Sequence, residues 1–417
     1  MTENEEFNGI SENEQAADND NDIKNPENAF EEIVYEDISE NTGYVPTNVD
    51  NEVSPETIVY DAETGSTSDH ETAEQYWTPS VAVVRDAEQV LAEKPVTAET
   101  KYKKTIRGIF LILCLFPILS LVAVSPTIVY SILSHYSNFP ASDDLYYIFS
   151  FAFPQFLYPI ITVAASVFMV IIAKRKIKST VRINNAPAAD VFLSIGIFLG
   201  IGTVGSYISE FITDFIVGLG IPVPDMEEFI PSPGSPLQFC LYLIVVAVMP
   251  AICEEFVFRG VMCGLIKEYN KTAAVILSAI AFSLVHATVQ QIPFAFIMGL
   301  FLGYLYIKYD TLLIGIILHF INNFISCIFT VMYERIPEET FTTIYTVYDI
   351  TTVVLGIICA VFFIIRIVKY RNKNTEKSVP VLSGGKLWGA TLSSWAMWLF
   401  IAVYAAETAA NIFLLSY

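Results

Sequence analysis

The 417 residues combine a positive mean hydropathy of +0.51 with a formal net charge of −21, and counting charge by region resolves the contradiction. Residues 1–100 hold 26 of the 44 acids against only Lys24, Arg85 and Lys94, a charge of −23, whereas the other 317 residues carry 20 basic and 18 acidic groups, or +2. Nucleic-acid binding is excluded because basic residues occur only in short clusters beside apolar runs. A disulfide scaffold is excluded too, since Cys114, Cys240, Cys253, Cys263, Cys327 and Cys359 lie in apolar segments with neither framework nor CxxC spacing.

In chain order, residues 1–100 come first. They are rich in Glu, Asp, Asn, Thr and Ser and have no hydrophobic period long enough to offset the entropy of ordering, so the composition predicts a disordered acidic tail. The opening Met-Thr-Glu-Asn-Glu-Glu has no basic n-region and no apolar stretch behind it, which argues against a cleavable signal peptide. A near-repeat, Ile33-Val-Tyr-Glu-Asp37 and Ile58-Val-Tyr-Asp-Ala-Glu63, has the form of a short element for docking a cytoplasmic partner or for phosphorylation, although chance in a biased composition explains it better.

A helix needs about 20 apolar residues to cross the hydrocarbon. From residue 108 onward such runs recur, at 108–134, 145–173, 190–210, 237–266, 272–290, 292–307, 311–333, 349–368 and 388–416. The fold class read from this pattern is an all-α polytopic membrane protein of about nine transmembrane helices. The fifth and sixth runs are separated only by Gln290, Gln291 and Pro293. Lys and Arg concentrate in cytoplasmic loops. Nine crossings that start with the amino-terminus in the cytoplasm put 18 of the 20 basic residues beyond residue 100 inside, leave Arg335 outside and Arg259 within a span, and place Tyr417 outside.

Charged groups at membrane depth are costly, roughly 2.5–3.5 kcal/mol each on insertion scales, so those that persist are functional candidates by default. The fourth run contains Pro250-Ala-Ile-Cys-Glu254-Glu255-Phe-Val-Phe-Arg259, the fifth Phe282-Ser-Leu-Val-His286, and the seventh His319-Phe-Ile-Asn-Asn323. Residues four apart share a helical face, so Glu255 can pair with Arg259 and His319 can point with Asn323 at one centre. Counted from the cytoplasmic ends at about 1.5 Å per residue, Glu254, His286, His319 and Asn323 lie roughly 18, 21, 12 and 18 Å deep. Pro250 deprives the Val246 carbonyl of its helical donor, which predicts a kink that admits water. Gly299 and Gly303 make a small-xxx-small face for close helix packing. Glu210, Asp214, Glu407 and Asn411 are read as interfacial or packing residues.

The ordered set E-E-x-x-x-R, F-x-x-x-H and H-x-x-x-N on successive apolar runs resembles the three signature motifs of the CAAX-protease and bacteriocin-processing (CPBP, or Abi) family of intramembrane endopeptidases, which includes the CAAX prenyl proteases. The resemblance covers about residues 190–370. It divides the chain into an acidic tail (1–100), amino-terminal membrane helices (101–189), a CPBP-like core (190–370) and a loop with the last helix (371–417). It implies that Glu254 and His286 activate water, that His319 and Asn323 stabilise the oxyanion, and that Glu255 and Arg259 hold the fourth segment. The substrate implied is a membrane-associated or lipid-modified peptide. No cofactor is favoured; a zinc site would use Glu254, His286 and His319 as ligands, leaving only Glu255 as base. A proton pathway and a non-proteolytic scaffold or immunity protein stay open as alternatives. Neither a zinc-protease H-E-x-x-H nor a rhomboid-type G-x-S-x-G is present.

Overall fold

The computed structural model describes residues 97–136, 142–224, 231–370 and 380–415. Expectations for the acidic tail and its near-repeat lie outside the described residues. All regular structure among those described is helical. Apart from the single turn Ile177–Thr180, the helices in chain order are α1 (Ala98–His135), α2 (Asp143–Ile172), α3 (Ala188–Gly218), α4 (Pro236–Ile266), α5 (Lys271–Leu284), α6 (Gln291–Tyr309), α7 (Leu313–Arg335), α8 (Glu338–Lys369), α9 (Gly384–Leu392) and α10 (Trp395–Leu415). Eight are long and apolar enough to cross a membrane; α5, with 14 residues, and α9 are not among them. Leu121, Phe192, Phe211 and Ile357 are well over half exposed, which suits a surface solvated by lipid tails rather than water. The chain is an integral, multi-pass membrane protein.

The fifth run departs from its expected extent of 272–290, because α5 stops at Leu284. Its start is capped by Asn270, whose side chain accepts from the Ala273 N–H at 3.0 Å. At its end the His286 and Ala287 N–H groups turn to carbonyls three residues back, Ser283 and Leu284, and Ala287 enters the left-handed region at φ 51°. His286 therefore sits on the turn between α5 and α6, not on a helix. The last run, expected over 388–416, is also divided. The Ser393 hydroxyl donates to the Ala390 carbonyl, and the Trp398 indole N–H takes up the Leu392 carbonyl where the helix breaks before α10.

Small residues set how closely the helices approach. A Cβ on Gly299 would lie 3.2 Å from Ala279 and one on Gly303 3.2 Å from Val275, so the predicted small-xxx-small face draws α6 onto α5. The seam between α3 and α8 is tighter still, because a Cβ on Gly200 would meet the Thr352 carbonyl oxygen at 2.8 Å. Asp310, at φ 49°, ends α6 and turns the chain into α7, and Lys267 donates to its carboxylate at 2.6 Å. These contacts bring α4, the α5–α6 turn and α7 together.

Candidate active site

Helix α4 is not uniformly α-helical. It runs as α over Pro236–Tyr242, π over Leu243–Val248, α over Met249–Glu254, π over Glu255–Cys263 and α again over Gly264–Ile266. The first widened stretch leads into Pro250, which has no N–H for the Val246 carbonyl. Asn323 on α7 supplies the donor instead, its Nδ2 lying 3.2 Å from the Val246 oxygen, while its own Oδ1 accepts from Asn322 at 3.3 Å. The carbonyl left open by the proline is thus closed by a side chain from another helix.

The second π stretch begins at the paired glutamates, which take opposite environments. Glu255 is fully buried and its Oε1 accepts from Arg259 Nη1 at 2.8 Å and from His319 Nδ1 at 3.2 Å. Arg259 is also fully buried; its Nη2 reaches the Gly299 carbonyl at 3.4 Å and its guanidinium carbon lies 4.2 Å above the Phe282 ring. A buried ion pair recovers its desolvation cost only with such added partners. Glu255 Oε2 has no hydrogen-bond partner and rests against Gly315, where a Cβ would come within 2.6 Å. Gly315 precedes His319 by one turn of α7, so the same helix leaves room for the carboxylate and presents the imidazole that binds it.

Glu254 is turned away from this pair. Its side chain is 33% exposed, and its Oε2 lies 3.8 Å from His319 Nε2, too far for a direct hydrogen bond and close enough for a shared water or substrate atom. Tyr158 of α2 is among its electrostatic neighbours. Because Glu255 accepts from His319 Nδ1, that nitrogen carries a proton and Nε2 is the one aimed at Glu254.

His286 reaches the same place by a different route. The Phe282 carbonyl, which α-helical geometry would pair with the His286 N–H, is freed when that N–H turns to Ser283, and it accepts from His286 Nδ1 at 2.7 Å. The bond assigns the proton to Nδ1 and leaves Nε2 with its lone pair. Phe282 stands between both histidines, its ring 5.0 Å from His286 and 5.9 Å from His319, each nearly perpendicular. Glu254 and His319 are both electrostatic neighbours of His286.

The structure thus brings Glu254, Glu255, Arg259 and His319 into one contact network, ties Asn323 to the α4 backbone, and links His286 to the network through Phe282. Sequence reasoning missed Gly315 and gave Phe282 no role beyond its motif; spacing of four from His319 and His286 is the signal each carried. Among the described residues no three His, Cys, Asp or Glu side chains are grouped closely enough to hold a metal ion, so zinc would require Glu254, His286 and His319 to draw together.

Residues 236–325 match the family model described as type II CAAX prenyl endopeptidase Rce1-like. No curated protein and no solved structure matches the chain. The matched stretch begins at the first residue of α4, ends two residues past Asn323 and holds all three motifs. The three motifs that converge on the geometry above all fall within this Rce1-like stretch, which is consistent with the resemblance to the CPBP family of intramembrane endopeptidases.

Proposed function

We propose that the chain hydrolyses a peptide bond of a membrane-associated or lipid-modified peptide within the bilayer, using water activated by Glu254. The observation that supports this most is the division of labour between the adjacent glutamates: Glu255 is fully buried and tied through Oε1 to Arg259 and His319, and Glu254 is left partly open beside His319 Nε2. Glu254 accepts the proton of a water held against His286 Nε2, and the resulting hydroxide adds to the scissile carbonyl carbon. His319, as an imidazolium held at Nδ1 by Glu255 and donating through Nε2, and the second amide N–H of Asn323 donate to the oxyanion. Collapse of the tetrahedral species expels the amine, which leaves with the proton from Glu254. Water reaches the site where Glu254 is exposed.

The test uses full-length protein in liposomes with an internally quenched farnesylated CaaX peptide, alongside membrane peptides recovered from cells. Wild type cleaves, Glu254→Gln does not, and peptides that accumulate with the variant name the natural substrates. Cleavage at a wild-type rate by Glu254→Gln overturns the reading. We further propose that the amino-terminus is cytoplasmic and the carboxy-terminus outside. Because α5 spans only about 21 Å at 1.5 Å per residue, its crossing is the sensitive step. An introduced cysteine near Ser378 should be labelled only from the cytoplasmic side; labelling from outside intact cells overturns the nine-crossing topology.

A further inference from the structure

The turn that carries His286 is held from outside the matched domain. Ala287, immediately after the histidine, adopts φ 51° without being a glycine, a conformation that persists only when its surroundings enforce it. It is buried, 3% exposed, and its carbonyl accepts from Asn411 Nδ2 of α10 at 2.9 Å. The far side of the turn is tied as well, since Gln290 Nε2 donates to the Pro224 carbonyl at 2.7 Å. Between these ties lies a small pocket bordered by Thr288, Gln290, Thr408 and Asn411, so packing alone does not lock the turn there. Helices α5 and α6 pin both ends. If Ala287 relaxes toward right-handed geometry, the adjoining dihedrals must absorb the change, and those of His286 come first.

We propose that Asn411 is a positioning residue for His286, which makes the last helix a working part of the site. It sets the direction of the imidazole through the Ala287 peptide and touches no reacting atom. This inference rests on the endopeptidase reading for its kinetic arm only. In full-length protein, Asn411→Leu and Asn411→Asp both remove the donor, the second with nearly unchanged shape. On the farnesylated CaaX peptide each should lower kcat about tenfold, the scale of a lost orienting hydrogen bond, while KM moves less than about twofold. Adding Ala287→Gly to Asn411→Leu should recover most of the loss, because glycine holds the left-handed turn without help. The second readout is the ¹⁵N imidazole spectrum in detergent, with His286 assigned by its loss in His286→Ala. The Asn411 variants should shift the His286 resonance and leave that of His319 in place. An unshifted His286 resonance, or a fall in kcat that Ala287→Gly leaves uncorrected, overturns the proposal. If wild type cleaves nothing, the endopeptidase reading fails while the spectrum still decides the positioning role.

Discussion

Two parts of this molecule pair polar groups between membrane helices, and they do it differently. In the seam between α3 and α8 polar side chains meet directly: Thr203 with Thr352 at 2.8 Å, the Tyr207 hydroxyl on Asp349 at 2.7 Å, and Arg366 on Asp190 at 2.6 Å. Around α4 Glu255 and Arg259 are paired and fully buried, whereas Glu254 is part exposed and, among the described residues, neither His286 Nε2 nor His319 Nε2 makes a hydrogen bond. A polar residue in a membrane helix is therefore not functional by virtue of depth. What separates glue from chemistry is whether the group is left open to water or substrate.

The largest effect expected from this contrast compares carboxylates. Glu254→Gln and His286→Ala should abolish cleavage of the farnesylated peptide, whereas Asp349→Asn, which can still accept from Tyr207, should keep near wild-type turnover. Equal losses at Glu254 and Asp349 would mean that both regions are structural and that the seam was misjudged.

Next comes Asn323, which serves both readings. As an oxyanion donor its loss in Asn323→Ala costs on the order of 10²–10³ in kcat; as a cap for the Val246 carbonyl it mainly costs stability, about 1 kcal/mol. Pro250→Ala separates them, because alanine returns a backbone N–H to α4. If Asn323→Ala with Pro250→Ala regains stability but not rate, Asn323 donates to the oxyanion. Recovery of both assigns it to the helix alone.

Glycines sharpen the comparison at smaller scale. Gly315→Ala would set a methyl 2.6 Å from Glu255 Oε2, and Gly200→Ala would set one 2.8 Å from the Thr352 carbonyl. The first displaces the carboxylate that steadies His319, so kcat should fall about tenfold in protein that still folds. The second pushes α8 from α3 and should lower the melting temperature with turnover per folded molecule preserved. Thermal unfolding and initial rates on the same samples check both.

Much of this was legible in the sequence, because apolar length and i,i+4 spacing are local quantities. They gave the membrane helices, the Glu255–Arg259 pair and the Gly299–Gly303 packing. What was not legible depends on partners far along the chain. Nothing near Pro250 says that Asn323 will cap Val246, nothing near Ala287 says that Asn411 will hold its carbonyl, and Asn411 read in isolation is a packing residue. The end of α5 was missed for a related reason. Residues 285–290 are apolar enough to continue a helix, and only the turn they make against α6 and α10 stops it.

The smallest effect tests the seam itself. Thr352 Oγ1 meets Thr203 Oγ1 at 2.8 Å and also lies 3.0 Å from the carbonyls of Tyr348 and Asp349 on its own helix. Thr352→Val keeps the shape and removes the hydroxyl. The Thr203 hydroxyl is then free to turn back to its own helix, as serine and threonine do in membrane spans. Such interhelical bonds average about 0.6 kcal/mol, because the separated helices also find partners. The variant should thus melt within a few degrees of wild type and cleave at an unchanged rate, while the Gly200→Ala variant of the same seam melts well below both. A Thr352→Val protein that lost activity without losing stability would connect the seam to the site and end the distinction drawn between them.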